Sequence, residues 1–205
     1  ANDTDGAVSY SIAFSDTAGN AGSAVTSGSG SVTTDTTAPT LSGVSISSNN
    51  ESNTLAKAGD DITLTFTASE AISTPVVTFQ SGGSSINGNV TVQNTSGNTW
   101  TAVYTADAND TDGAVSYSIA FSDTAGNAGS AVTSGSGSVT TDTTAPTLSN
   151  VSIASDNSTS TLAKAGDDVT LTFTASESIS TPTVTFASGG SSINGNVTVQ
   201  NTSGN

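Results

Sequence analysis

An all-β protein made of tandem seven-stranded β-sandwiches is what this sequence predicts, and three observations predict it. The first is repetition: VTTDTTAPTLS occurs at Val32 to Ser42 and again, letter for letter, at Val139 to Ser149, and the offset of 107 positions between them maps the whole chain onto itself. The second is a period-two alternation of apolar and small polar residues in short runs between Gly, Asn, Asp and Pro. The third is composition, rich in Thr, Ser, Val and Gly, with 33% hydrophobic and 5% aromatic residues and no 3.6-residue apolar period.

Of the 98 pairs related by the offset, ten differ: Gly43/Asn150, Ser47/Ala154, Asn49/Asp156, Glu51/Ser158, Ser52/Thr159, Asn53/Ser160, Ile62/Val169, Ala71/Ser178, Val76/Thr183 and Gln80/Ala187. Such near-identity points to recent duplication. The shared stretch reads as a junction, because a β-branched run ends at an acid (Asp35, Asp142) and passes a Pro that cannot donate to a ladder (Pro39, Pro146). A fresh alternation then starts at Leu41 or Leu148. The expected organisation is therefore strands six and seven of one repeat over residues 1–35, a complete repeat over 36–142, and strands one to four of another over 143–205.

Within the complete repeat the first strand is Leu41 to Ser47, with Val44 and Ile46 alternating with small residues, and a polar loop Ser48 to Asp60 follows. Strand two, Asp61 to Ser69, sends Ile62, Leu64 and Phe66 one way and Thr63, Thr65 and Thr67 the other. Strand three turns Val77 and Phe79 inward, and Thr183 at the place of Val76 fits an outward position. A Gly/Ser/Asn loop, Ser81 to Gly88, leads to a short fourth strand, Asn89 to Gln93. Strand five, Thr99 to Thr105, carries Trp100, Ala102 and Tyr104 on one face, where Trp100 reads as a core anchor. Strand six, Ala114 to Ser122, turns Val115, Tyr117, Ile119 and Phe121 inward. Strand seven covers Ser130 to Thr141, and Gly135 and Gly137 suggest a bulge or a weak middle. Seven such strands in about a hundred residues are the pattern of an immunoglobulin-like sandwich.

Chemistry is bounded by what is missing. With no His, Cys or Arg, and with Lys57 and Lys164 as the only bases, the chain lacks the means of most acid–base and nucleophilic catalysis, and the reading is that it is not an enzyme. Seventeen acids against two bases give a net charge of −15, which repels nucleic acid and anionic membranes and attracts cations. Disulfides are excluded, no apolar run reaches membrane-spanning length, and the start at Ala1 without a secretory leader reads as an excerpt of a longer chain.

Because the chain reverses at every strand, the loops sort onto two ends of the sandwich. The leading end holds Asp35 of the junction, Glu70 after strand two and Asp123 after strand six, with Asp142 and Glu177 as counterparts one repeat on and Asp16 matching Asp123 in the first fragment. The trailing end holds Asp107, Asp110 and Asp112, together with Asp60 and Asp61, and Asp3 and Asp5 are its counterparts in the first fragment. In an array the trailing end of one repeat faces the leading end of the next. Facing carboxylates with almost no bases between them call for a cation, and an oxygen-only donor set suits Ca2+, whereas zinc or copper would want His or Cys. Asp110-Thr111-Asp112-Gly113 offers two alternate carboxylates and a bend but is not an EF-hand, which would need an acid at Ala108 and a Glu at Ile119. An ordinary Asp-Gly turn remains an alternative for this loop, and an Asx turn for Asp123.

Taken together, Asp-Thr-Thr-Ala-Pro, Ala-Gly-Asp-Asp, Thr-Ala-Ser-Glu, Trp-Thr-Ala-Val-Tyr, Asp-Thr-Asp-Gly and Ser-Asp-Thr-Ala-Gly-Asn-Ala-Gly resemble bacterial Ig-like repeats, which form the extender regions of giant secreted adhesins of the repeats-in-toxin type. The resemblance covers the whole chain. It implies a calcium-stiffened stalk, secreted to the bacterial cell surface, whose partners are calcium ions and neighbouring copies of the same repeat. Two alternatives stand beside it: an ice- or glycan-binding sandwich using the outward Thr63, Thr65 and Thr67, and a fibre subunit whose incomplete repeats are completed by strand exchange between molecules. The second follows from Thr99 to Asp107, the nine residues present only once. Neither terminal fragment contains a copy of the Trp-bearing strand.

Overall fold

The computed structural model describes residues 3–193, 195–202 and 204, and every regular element in them is a strand. In chain order these are β1 (Gly6–Ala7), β2 (Thr33–Thr34), β3 (Leu41–Ser48), β4 (Leu55–Ala56), β5 (Asp61–Ala68), β6 (Val76–Ser81), β7 (Ser84–Ser85), β8 (Thr91–Ser96), β9 (Thr99–Thr105), β10 (Gly113–Ala120), β11 (Thr140–Thr141), β12 (Leu148–Ser155), β13 (Val169–Ala175), β14 (Ala187–Ser188) and β15 (Ser191–Ser192). The chain divides into two compact units, one ending at Thr143 and the other beginning at Thr144.

In the complete repeat the alternation of β5 decides the packing. Its register sets Ile62 opposite Tyr104, Leu64 opposite Ala102 and Phe66 opposite Trp100 on β9, and all six side chains are buried. On the facing sheet β6 pairs with β10, placing Val77 opposite Ile119 and Phe79 opposite Tyr117. The Phe79 ring reaches across to Tyr104 with centroids 4.9 Å apart, so the two inner faces interdigitate. Burying one large apolar side chain of this kind stabilises the fold by roughly 1.5–3 kcal/mol.

One sheet therefore runs β3-β5-β9-β8 and the other β4-β11-β10-β6-β7, the two-sheet order of an immunoglobulin-like sandwich. Two short strands lie where the sequence predicts loops. β4 forms inside 48–60 because its backbone runs parallel to β11, which buries Ala56, and β7 forms inside 81–88 by folding back on β6. The fourth strand lies two to three residues later than its alternation suggests, since it follows the pairing with β9.

Strand seven is the larger departure. Regular pairing survives only at β11, while Val132 bridges Ile119 in one sheet and Ser136 bridges Ser45 of β3 in the other. The Gly-Ser-Gly stretch thus leaves the edge of β10 to touch β3 and returns to β10 at β11: Ser136 N–H donates to Val44 O, and Ile46 N–H donates to Ser136 O. Only glycine fits, because a Cβ on Gly137 would lie 2.2 Å from Ile46 O at a φ of +78°. The break in β3 between Ser42 and Ser45 has a similar cause, with Gly43 at φ +61°. The second copy carries Asn150 at φ 50° there, a residue that tolerates this region, which explains one of the ten differences.

The same side chains fare differently in the incomplete repeats. Ile119 is fully buried against β6, whereas its counterpart Ile12, which has no such strand beside it among the described residues, is 54% exposed. In the second unit β12 pairs with β13 and β14 with β15, but Ile153 is 62% exposed where Ile46 is 6%. Strand three of this unit is reduced to Ala187–Ser188, and 181–186 are unpaired because no equivalent of β10 lies beside them among the described residues. The expected strand four does not form either, and residues 196–202 are without regular pairing. The reason is that β8 hydrogen-bonds only to β9 in the complete repeat, and this unit holds no equivalent of β9 among its described residues.

A stability test follows from the glycines. Gly97→Ala, at φ +55° but in open space, should cost about 1 kcal/mol. Gly137→Ala should cost at least about 2 kcal/mol more because the backbone of β3 must move, and Gly43→Asn should be close to neutral. Denaturant unfolding of the three variants checks the order.

Candidate metal centre

Three segments that are distant in sequence meet at the leading end of the complete repeat. Asp35 follows β2, Glu70 lies two residues past β5, and Asp123 lies three past β10; one carboxylate oxygen from each falls within 4.8 Å of the others. Backbone bonds put them there. Ser69 N–H donates to Thr40 O while Thr40 N–H donates to Ser69 Oγ at 3.0 Å, holding the Glu70 turn on the linker. Ile72 bridges Asp123, and Ser73 N–H donates to Ser122 O, joining the same turn to the loop after β10.

The Asp123 loop is closed by its own acid. Oδ1 accepts Gly126 N–H at 2.7 Å and Asn127 N–H at 2.8 Å, and Oδ2 accepts the Asn127 side-chain amide at 2.7 Å. That amide also donates to Asp35 O at 3.1 Å, so Asn127 ties the loop to the linker. The sequence reading overlooked it; an amide two residues before the second glycine of Ala-Gly-Asn-Ala-Gly was the available signal. Asp16 forms the same loop with Ala18 and Asn20 while fully exposed, which shows that this geometry is local and needs no tertiary support.

A fourth carboxylate stands close by. Asp5 Oδ1 accepts Thr36 N–H at 2.7 Å and Thr36 Oγ1–H at 2.8 Å, and its Oδ2 accepts the Thr37 hydroxyl. The Thr37 hydroxyl, then Thr36, hold Asp5 below the ordinary carboxylate range. Glu70 is shifted the other way, raised first by desolvation and then by the charges of Asp35, Asp123 and Asp5. Burial also works to raise Asp123, but the hydrogen bonds from Asn127, Gly126 and Ala125 outweigh it and keep the group low and ionised. Glu70 is thus raised where Asp123 and Asp5 are held low.

The trailing-end acids are spent differently. Asp110 is buried and clamps its loop, accepting Asn87 N–H at 2.7 Å and Asp107 N–H at 2.9 Å. Asp107 accepts the Asn109 backbone and side-chain N–H groups, both at 2.8 Å, in an Asx turn. Asp112 repeats the role of Asp5 one repeat on, with Oδ1 accepting Thr143 N–H at 2.7 Å and Thr143 Oγ1–H at 2.9 Å. Asp60 accepts Lys57 Nζ at 2.7 Å and Asn50 Nδ2 at 2.6 Å, and Lys164 and Asp167 reproduce that ion pair at 2.7 Å. Asp3 and Asp142 are exposed, and Glu177 is half-buried just past β13. Among the described residues Asp107, Asp110 and Asp112 form no three-acid cluster; Asp35, Glu70 and Asp123 do.

Fold and site define a class of protein: a tandem-repeat β-sandwich with an oxygen-only acidic cluster where the linker enters a sandwich. No protein-family model matches the chain, and no curated protein or solved structure matches it. The donor set suits a hard cation, since carboxylates supply its charge and no His or Cys exists to favour zinc or copper.

The shifts fix two pH effects. Glu70 has a raised value, so the fold loses stability as pH rises past the ordinary 4.5, and in metal-free buffer Glu70→Gln should melt higher at pH 7 and equal to the parent near pH 3. Asp60 is lowered from 3.8 to about 2, first by the Lys57 side chain and then by Asn50. Its contribution is complete above pH 3.8 and lost as pH falls toward 2, so Asp60→Asn should cost on the order of 1 kcal/mol at pH 7, discounted for solvent screening, and little at pH 2. Thermal melts across this range decide both.

Proposed function

We propose that the chain is an extender repeat of a secreted bacterial surface adhesin, a stalk stiffened by calcium where one repeat hands over to the next. The observation that carries the proposal is the convergence of Asp35, from the linker, with Glu70 and Asp123, from two loops of the following sandwich. A cation there neutralises carboxylates that otherwise repel, and it joins the linker to the body it leads into, so the angle between successive repeats is restrained. The hydrogen bonds of Asp5 and Asn127 to the linker support this reading, since they already limit its freedom from both sides. The repetition, the net charge of −15 and the lack of His, Cys and Arg suit a role in length and reach without catalysis. Neighbouring copies of the repeat and calcium ions are the proposed partners.

Calcium binding is linked to stability by mass action, and at a hundredfold excess over Kd it contributes about 2.7 kcal/mol. For a domain of this size that is a rise in Tm of roughly 10 °C or more. Chelation should reverse the rise and broaden the small-angle scattering profile. Replacing Asp35, Glu70 and Asp123 by Asn, Gln and Asn should abolish the calcium response, whereas Asp110→Asn with Asp112→Asn should leave it. Scattering profiles and melts that are identical with calcium and with chelator would sink the proposal.

A further inference from the structure

The strands of the complete repeat hold a single charged residue, Asp61 at the start of β5, and its carboxylate accepts the Thr105 hydroxyl at 2.7 Å. No charged residue lies between Glu70 and Asp107, so β6 to β9 form a neutral flank on a chain of net charge −15. On that flank lies an open sheet edge. β8 is hydrogen-bonded to β9 alone, and no other backbone group among the described residues meets its outer side. The remaining edges of the sandwich are closed or short: Ser136 bridges β3, and β4 and β7 are two residues each. β8 carries no Lys, Pro or other charged residue to keep a further strand away. Its end is used internally, since Asn94 Nδ2 donates to Gly97 O at 2.8 Å and the register shifts between Asn94 and Ser96, which leaves residues 91–94 open to pairing.

We propose that β8 is a homophilic interaction surface, which pairs antiparallel with β8 of a second copy of this chain and joins two four-stranded sheets into one of eight strands. The contact acts between complete repeats and exchanges no strand. Two arguments select a second copy. Chains this acidic repel one another at the loop-bearing ends of the sandwich, where the carboxylates lie, and approach closely only along the neutral flank. The edge is also self-complementary. Because inward side chains must meet inward side chains, a two-fold axis relating the strands has to pass through a residue and not between residues. Centred on Val92, it brings the two half-buried Val92 side chains together and sets Thr91 opposite Gln93. Antiparallel pairing places the leading end of one repeat beside the trailing end of its partner, so the two clusters of Asp35, Glu70 and Asp123 stay apart. Four residues per edge make a weak contact, but the sequence of β8 recurs at the 107-residue offset, and linked weak contacts gain avidity without new interactions.

The chain has no cysteine, so single cysteines report the register. Residues opposite each other in an antiparallel pair have Cα atoms about 4.5–5.5 Å apart, within disulfide reach. Under mild oxidation the 205-residue chain with Val92→Cys should form a disulfide-linked dimer at least tenfold faster than with Val76→Cys, a more exposed position on the facing sheet. Chains with Thr91→Cys and with Gln93→Cys should crosslink faster when mixed than either does alone. Sedimentation velocity of the unsubstituted chain should show a monomer–dimer equilibrium. Thr91→Lys with Gln93→Lys, at two exposed positions that leave the core untouched, should weaken dimerisation at least tenfold. A chain that stays monomeric up to millimolar concentration, as it would if the edge took only strands of other proteins, overturns the proposal. Dimers that persist in the double lysine variant, as association through the incomplete repeats would give, overturn it too. So would equal crosslinking of Val92→Cys and Val76→Cys.

Discussion

The complete repeat stands on the coverage of one apolar stripe, that of Ile62, Leu64 and Phe66, by β9 on the same sheet and by Val77, Phe79 and Ile119 across the sandwich. The chain carries its own comparison. Side chains of identical sequence are buried where partner strands surround them and exposed where they do not, so exposure is set by neighbours and not by local propensity. Strand β9 is the keystone, since it is hydrogen-bonded on both edges and supplies the Trp and Tyr that fill the space between the sheets. Without its equivalent, the counterpart of β8 does not become a strand at all.

At the leading end the controlling force is charge. Loops shaped by their own hydrogen bonds bring carboxylates within a few ångströms of each other, and the chain provides almost no base to relieve them. Its two lysines are committed to Asp60 and Asp167 at turns before the second strands. Desolvation first, and then the charges of Asp35, Asp123 and Asp5, raise Glu70, the residue best placed for a cation to relieve.

Much of this was legible in the sequence. The strand alternations of β5 and β9 needed no structure, and counting strand reversals was enough to put Asp35, Glu70 and Asp123 at one end. The trailing-end acids were harder. Their types and spacing are equally acidic, but the structure uses Asp110 and Asp107 to close a loop and Asp112 to hold Thr143, a division of labour that depends on which N–H groups each carboxylate meets. The loop-closing role of Asn127 had a local signal in Ala-Gly-Asn-Ala-Gly, but its bond to a backbone carbonyl 92 positions away did not.

Repeat length, all-β class, the inward residues of the central strands and the cation-attracting charge were determined by the sequence alone, because they rest on periodicity and composition, which are properties of neighbouring residues. Tertiary structure decided the rest. It turned part of a predicted loop into β4 and made Gly135 and Gly137 the place where strand seven leaves β10 to bridge β3 before returning at β11. It also selected three of the eleven candidate acids as a cluster. Each of these depends on which backbone groups and carboxylates from remote segments come within hydrogen-bonding or Coulombic reach, and that distance is set by packing and not by sequence separation.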